Sequence, residues 1–287
     1  MVRIGIVGSD NSHAVAFSKL CNVADNALHI DGAKVVAVFG EEEARTKEVA
    51  AEGQIPKIVA KPEDMIGEVD VVLVVFRHGS KHRKYAEPFV REKIATFVDK
   101  PLTTTSADAK ALIELAQAKG APLTSFSTLR YAGDMLAFKA EMDSLGPVSS
   151  AVFSGPADRQ SEYDGLPFYG VHIIEMMQAL YGAGVKTITA GETGKNIVAT
   201  LGYADGNVGT VNFLGDAKYV FHMLAFGKEG WAGRALDAST CYRDGLEVVL
   251  KMVETGTWPL TPEELLEPVR VLEAIEESLN TGKGVTL

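Results

Sequence analysis

The sequence predicts an α/β chain in two parts: a doubly wound parallel sheet over residues 1–123, then an α+β part over residues 124–287 with a largely antiparallel, open-faced sheet. Three observations predict it. The chain has 287 residues, about two domains at roughly 150 residues each. Its first half alternates short Val- and Ile-rich runs with helical patterns, as expected of strands buried on both faces of a parallel sheet. From about Ser150 strand patterns follow one another with only turn signals between them, which suggests an antiparallel meander.

In order, strands are expected at 3–7, 34–39, 69–76, 94–98 and 122–126, with helices at 14–23, 42–52, 83–92 and 106–119 between them. A strand at 148–154 and a helix at 167–181 open the second part. Strands at 186–190, 196–203, 208–214 and 219–227 come next, broken by Asp205-Gly206-Asn207 and Gly215-Asp216. Helices at 245–254 and 261–279 close the chain, the last opened by Thr261-Pro262-Glu263-Glu264, a capping residue and a proline in the first turn.

Composition excludes several classes. Hydrophobic residues make up 46% and charged ones 23%, which rules out disorder, collagen and coiled-coil arrays. The net charge of −10 repels a phosphate polymer and gives no footing on an anionic membrane, so neither nucleic acid nor membrane is an expected partner. Cys21 and Cys241 stand alone, without metal-ligand spacing, so neither a disulfide framework nor a metal site is expected. No apolar run reaches the ~18 residues of a bilayer span, and the first residues lack a signal-peptide pattern; the expected location is cytoplasmic.

A strand that runs into Gly8 and then a helix is where a Rossmann domain holds a pyrophosphate on free helix N–H groups. Against the G-x-G-x-x-G fingerprint, however, Asp10 and His13 replace the second and third glycines. A carboxylate ~4 Å from a diphosphate at an effective dielectric of about 20 costs on the order of 4 kcal/mol, so Asp10 must point away or the cofactor sits differently. Ser9, Asn11 and Ser12, with His13 beside them, can cap the helix or bind phosphate; a capped turn without a ligand is the alternative. Glu41, in the acidic run after the second strand, is spaced to hold ribose hydroxyls, which favours NAD over NADP, although acids here also complement the next helix dipole.

Arg77, His78, Lys81, Arg83 and Lys84 form a basic cluster in an acidic chain. Arg77 and His78 are nearest the strand end and suited to a cofactor phosphate or an acidic substrate; Arg83 and Lys84 are expected on a solvated helix face. Asp158, Arg159, Tyr163 and Asp164 precede the 167–181 helix; a flexible loop is one reading, and the position at which similar proteins place substrate contacts gives the other.

The fifth strand delivers Asp99-Lys100-Pro101 at its carboxyl end, where ligands of open α/β sheets bind. This resembles the Glu-Lys-Pro hallmark of the Gfo/Idh/MocA oxidoreductases, the family of glucose-fructose oxidoreductase and inositol dehydrogenase. Other matches follow in order. His82 and Ala86 sit as in the family's Pro-Asn-x-x-His-x-x-x-Ala, with His78 and Gly79 in place of the first two residues. Leu129-Arg130-Tyr131 resembles Arg-Arg-Phe, and Phe226-Gly227-Lys228-Glu229-Gly230 is similar to Tyr-Gly-Thr-Glu-Gly. The stretch from Ala274-Ile275-Glu276-Glu277-Ser278 to Thr281-Gly282-Lys283 resembles the final helix and its exit. In Phe168-Tyr169-Gly170-Val171-His172-Ile173-Ile174-Glu175 the second motif, Asp-x-Gly-x-His-x-x-Asp, is matched at the glycine, the histidine and the last acid, while Phe168 replaces the first acid.

The resemblance implies an oxidoreductase that moves a hydride between NAD and a sugar, polyol or related hydroxy compound, with Lys100 and His172 facing the nicotinamide from opposite domains. His172 suits the base and Lys100 the group that stabilises the alkoxide. The β–α turn, the acidic run and the basic cluster give expected cofactor contacts at Gly8, Ser9, Asn11, Ser12, His13, Glu41 and Arg77; the resemblance adds His82, Asp99, Lys100 and Pro101, and implies substrate contacts at Lys100, Arg130, Phe168 and His172. A homodimer or higher homo-oligomer through the second sheet is expected, with Phe213, Phe221, Met223 and Phe226 as its bulk. Without the resemblance, His172 reads as part of a polar helix stripe with Glu175 and Gln178. The loss of the motif's acid leaves two alternatives: a catalytically decayed relative that senses a ligand or binds protein, and a lyase or hydrolase that uses tightly held NAD.

Overall fold

The computed structural model describes residues 1–287. In the first half, β1 (Val2–Val7), β2 (Ala33–Phe39), β3 (Lys57–Ile58), β4 (Val71–Val74), β5 (Ala95–Val98) and β6 (Leu123–Ser125) form one sheet in the order 3-2-1-4-5-6. Every pairing in it is parallel. Helices α1 (Ser12–Asn22), α2 (Glu43–Glu52), α3 (His82–Arg91) and α4 (Ser106–Lys119) cover its faces. β4 (Val-Val-Leu-Val) and β5 have no exposed side chain, and β1 is buried from Ile4 to Val7, because helices lie on both sides of them. Gly40, after β2, is obligatory: a Cβ there would lie 1.9 Å from Ser9 Oγ, so the β2 exit and the β1 exit touch through a hydrogen atom only.

The second half contains α5 (Gly133–Glu141), β7 (Val148–Pro156), α6 (Pro167–Tyr181), β8 (Val185–Thr193), β9 (Asn196–Tyr203), β10 (Val208–Leu214), β11 (His222–Gly227) and β12 (Gly230–Ala235). After these come α7 (Cys241–Thr255), α8 (Pro262–Thr281) and β13 (Val285–Thr286). Its sheet runs 12-11-7-10-9-8-13. All neighbours are antiparallel except β7 and β10, which pair in parallel. The simple meander expected from sequence is therefore corrected: β7 is inserted between β10 and β11, so two hairpin units flank a strand supplied from earlier in the chain.

α6 and α8 pack on one face of this sheet and bury Phe213, Phe221 and Met223. These three thus serve the helix layer, contrary to the expectation that they offer bulk to a partner; only Phe226, 41% exposed, faces the open side with Trp231, 69% exposed. The division expected at 123/124 falls inside β6. The chain also returns: Leu246, Val249 and Met252 of α7 and Leu265 and Val269 of α8 belong to the core of the first sheet, whereas Cys241, Val271 and Ile275 belong to the second.

Candidate active site

The carboxyl ends of β4 and β5 and the amino end of α6 meet at a cavity of about 310 Å³. β5 delivers Lys100, which is buried and donates from Nζ to the main-chain carbonyl of Phe168 at 3.0 Å. The same Nζ lies 4.4 Å from the Phe168 ring centre and 5.2 Å from that of Tyr169, within cation–π range. Burial pushes the Lys100 pKa down; Asp99 and Glu175 partly restore it.

His172 enters the cavity from α6, whose glycine at 170 lets Phe213, Leu166 and Leu272 pack closely behind. Its Nδ1 is 2.6 Å from Ser127 Oγ. Burial, then the charges of Lys100 and His13, hold its pKa well below the usual histidine value, so the ring is neutral near pH 7. Ser127 Oγ also accepts the Leu129 N–H at 3.2 Å, and the Ser127 N–H donates to Glu175 Oε2 at 2.7 Å. Burial pushes Glu175 up to about 7, against the opposing pull of Arg130 and that N–H. The stripe of His172, Glu175 and Gln178 is thus buried against the loop after β6 and does not face water.

The β1–α1 turn contributes Asn11, Ser12 and His13 to the cavity. Asn11 caps α1 by accepting the His13 N–H at 3.2 Å, and its Nδ2 donates to Asp99 Oδ2 at 3.4 Å. His13 Nδ1 lies 2.5 Å from the same oxygen, and Asp99 Oδ1 accepts the Lys100 N–H at 2.9 Å. Burial alone would raise the Asp99 pKa, but the charge and hydrogen bond of His13, with Lys100, outweigh it and bring it to about 2.

Other expected residues lie nearby but outside the cavity wall. Gly8 takes φ +115° where a Cβ would come within 2.8 Å of the Phe76 nitrogen. Ser9 is buried against Thr46 Oγ1 at 2.9 Å. Glu41 accepts from Lys81 Nζ at 2.5 Å and from Tyr85 OH at 2.7 Å. Asp10 turns one carboxylate oxygen to the Arg77 N–H at 3.3 Å, while its other oxygen is buried without a partner.

Three expectations are corrected. His82 has no exposed surface; its ring nitrogens sit 2.7 and 2.8 Å from the carbonyl oxygens of Pro101 and Phe76, so it ties together the loops after β5 and β4. Arg130 is buried away from the cavity, where it donates to the Glu175 carbonyl, to Gln178 Oε1 at 2.9 Å and to Glu264. Pro101 likewise packs on Gly79. Arg159 pairs with Glu192 and Glu276 and takes no part in the site.

Sequence reasoning missed Ser127, Tyr219, Cys241 and Tyr242, of which the last three reach the cavity wall. Ser127 alone carried a signal, as the capping residue of the short turn Thr128–Tyr131. Tyr163, left open in the sequence, spans the two halves: Arg77 Nη1 donates to its hydroxyl at 2.7 Å.

Residues 2–126 match a family model described as an oxidoreductase family with an NAD-binding Rossmann fold. Inositol 2-dehydrogenase 2 of Saccharopolyspora erythraea is 28% identical over 199 residues, covering 66% of this chain and 55% of that protein. Inositol 2-dehydrogenase of Acidothermus cellulolyticus is 25% identical over 201 residues, covering 66% and 56%. The chain therefore spans about half the length of the curated relatives it matches. Among solved structures, scyllo-inositol dehydrogenase from Lactobacillus casei with bound NAD(H) and scyllo-inositol superposes with a TM-score of 0.86 at 13% identity, covering 100% of this chain and 99% of that one. Myo-inositol 2-dehydrogenase from Lactobacillus plantarum gives 0.85 at 16% identity, covering 100% and 99%. At these identities the likeness to solved structures is one of fold.

Proposed function

We propose that the chain is an NAD-dependent dehydrogenase of the Gfo/Idh/MocA type acting on a CH–OH carbon of a sugar, polyol or related hydroxy compound, on the support of the oxidoreductase family model matched by residues 2–126. The observation that carries the proposal is convergence: Lys100 from the parallel sheet and His172 from the second half line one cavity at the carboxyl end of β5. In this reading the first sheet and its helices hold the cofactor and the second half presents the substrate.

The residues fit a dinucleotide. Gly8 takes a left-handed backbone at the turn, where a Cβ would strike the Phe76 main chain, the β1–α1 turn offers Ser12 and the start of α1, and Glu41 stands just after β2 for ribose hydroxyls. Asp10, the misfit of the fingerprint, has one oxygen drawn toward β4 by the Arg77 N–H. NAD bound here supplies the acceptor for the hydride.

The chain's own residues manage the proton. In the tautomer in which Ser127 Oγ accepts Nδ1–H, His172 has its lone pair on Nε2, and its depressed pKa leaves it free to take the hydroxyl proton near pH 7. The Lys100 ammonium stabilises negative charge on the substrate oxygen. The Phe168 carbonyl fixes that ammonium, a task for which the missing acid is not needed. Saturable NADH binding followed by fluorescence, together with NAD reduction on a polyol and sugar-acid panel, tests the proposal; no saturable binding would remove it.

We further propose a homodimer through the open face of the second sheet, on the support of the exposed Phe226 and Trp231. A monomeric mass by light scattering at micromolar protein would exclude it. No helix is long and apolar enough to cross a membrane. The buried free thiols of Cys21 and Cys241 support a reducing, cytoplasmic setting, which cell fractionation checks.

A further inference from the structure

The charge on the cavity wall is one-sided. Arg77 and Lys100 line it, and no aspartate or glutamate does. This stands out in a chain with 38 acidic and 28 basic residues, in which Lys81, Arg83, Arg91, Arg159 and Arg234 each have a carboxylate within pairing distance.

Neither cavity cation has a carboxylate within pairing distance of its side-chain nitrogens, although the charges of Asp99 and Glu175 act on Lys100 from behind the wall. The Arg77 guanidinium is steadied by a phenol: Nη1 donates to Tyr163 OH at 2.7 Å and Cζ lies 5.0 Å from that ring centre. Lys100 Nζ is held by the neutral Phe168 carbonyl. Asp99 lies directly behind Lys100, but its oxygens are taken by Asn11, His13 and the Lys100 N–H, and it is buried beneath the wall. Phe168 moreover stands where the family motif has an acid, so the position that would repel an anion is apolar.

We propose that the substrate is anionic, a hydroxy acid of the sugar-acid type, with its carboxylate on Arg77 and its reacting hydroxyl between Lys100 and His172. A guanidinium fork matches a carboxylate with two parallel hydrogen bonds, which an uncharged polyol cannot supply. This rests on the dehydrogenase reading and narrows it. Arg77 is assigned to substrate and not to the cofactor phosphates because its guanidinium is anchored to Tyr163, on the second half of the chain, beside Phe168.

Calorimetry on the full chain, with and without NADH, tests the assignment by pairing acids with neutral counterparts: gluconate with sorbitol, glucuronate with glucose, galactarate with galactitol. Binding of at least one acid about tenfold tighter than its counterpart is expected, from one charge-assisted hydrogen-bond pair. Arg77→Met should abolish that ratio while NADH affinity stays within about twofold, and Arg77→Lys should keep part of it. Circular dichroism checks that both variants fold.

Equal or tighter binding of every neutral partner, or no binding by any acid, overturns the inference. So does a weakened NADH affinity in Arg77→Met with the acid-to-neutral ratio unchanged, which would place the guanidinium on the cofactor. Turnover of neutral polyols alone would sink this inference and leave the dehydrogenase standing. Absence of NADH binding would sink the dehydrogenase, while calorimetry without cofactor would still decide on the acid.

Discussion

Lys100 Nζ donates to the carbonyl oxygen of Phe168 at 3.0 Å, so the residue that replaces the family's acid holds the lysine through its main chain. Side-chain chemistry at 168 is thereby uncoupled from lysine placement. Phe168→Ala should leave kcat within about tenfold, because the carbonyl remains, whereas Lys100→Met and His172→Ala should each lower it by about 10² or more. Steady-state kinetics on folded variants check this; a Phe168→Ala loss as large as that of Lys100→Met would show that the ring and not the carbonyl matters.

The acid limb of the pH profile should be displaced. A base works only when unprotonated, and burial beside Lys100 holds the His172 pKa well below 6.5. Activity should therefore stay level as pH falls through 6.5 and drop only below it, where an ordinary histidine would already be half protonated. A kcat/KM profile breaking at 6.5 or above would contradict a neutral buried imidazole.

Glu175 carries an opposite cost. Its pKa rises from 4.5 to about 7 on folding, so its contribution is fully present below pH 4.5 and is lost as pH rises through 7. The full loss is on the order of 3 kcal/mol. Glu175→Gln keeps an oxygen for the Ser127 N–H but cannot ionise. Melting curves should show wild type losing ground to this variant between pH 5 and pH 8; parallel curves would mean that Glu175 does not titrate there.

Asp10 is expected to weaken cofactor binding. Asp10→Asn removes the negative charge next to the β1–α1 turn and should tighten NADH by roughly tenfold, a fraction of the ~4 kcal/mol expected for a close pair of like charges. Fluorescence titration measures it, and an unchanged constant would mean that the carboxylate lies beyond reach of the diphosphate.

Discrimination between cofactors should depend on Glu41. Its carboxylate neutralises Lys81 at 2.5 Å. Glu41→Ala frees that ammonium for a 2′-phosphate, so NADPH should gain on NADH by about tenfold. An unaltered ratio would remove Glu41 from the ribose site.

The first sheet was legible because buried parallel strands leave a run of Val and Ile that polar alternation never interrupts, as at Val71–Val74. The neighbours of β7 were not. Its partners β10 and β11 lie far along the chain, and hairpin signals report only local pairing. At the site, Lys100 and His172 were found through motif resemblance, while His82 and Arg130 were misassigned because a buried polar group satisfied by carbonyls looks, in sequence, like one reserved for a ligand. Tyr219 and Tyr242 carried no local sign; folding alone brings the segment before β11 against Tyr169 and α7 against His13.

The return of α7 and α8 into the core of the first sheet restricts how such a chain can be recombined. A fragment ending at β6 would bare the apolar surface that Leu246, Val249 and Met252 cover, and would strip the Ala121 carbonyl of the Trp258 indole N–H that reaches it at 3.1 Å. Grafting this nucleotide half onto a foreign substrate half therefore means carrying its two closing helices along, and with Tyr242 on the first of them, part of the old cavity travels with the graft.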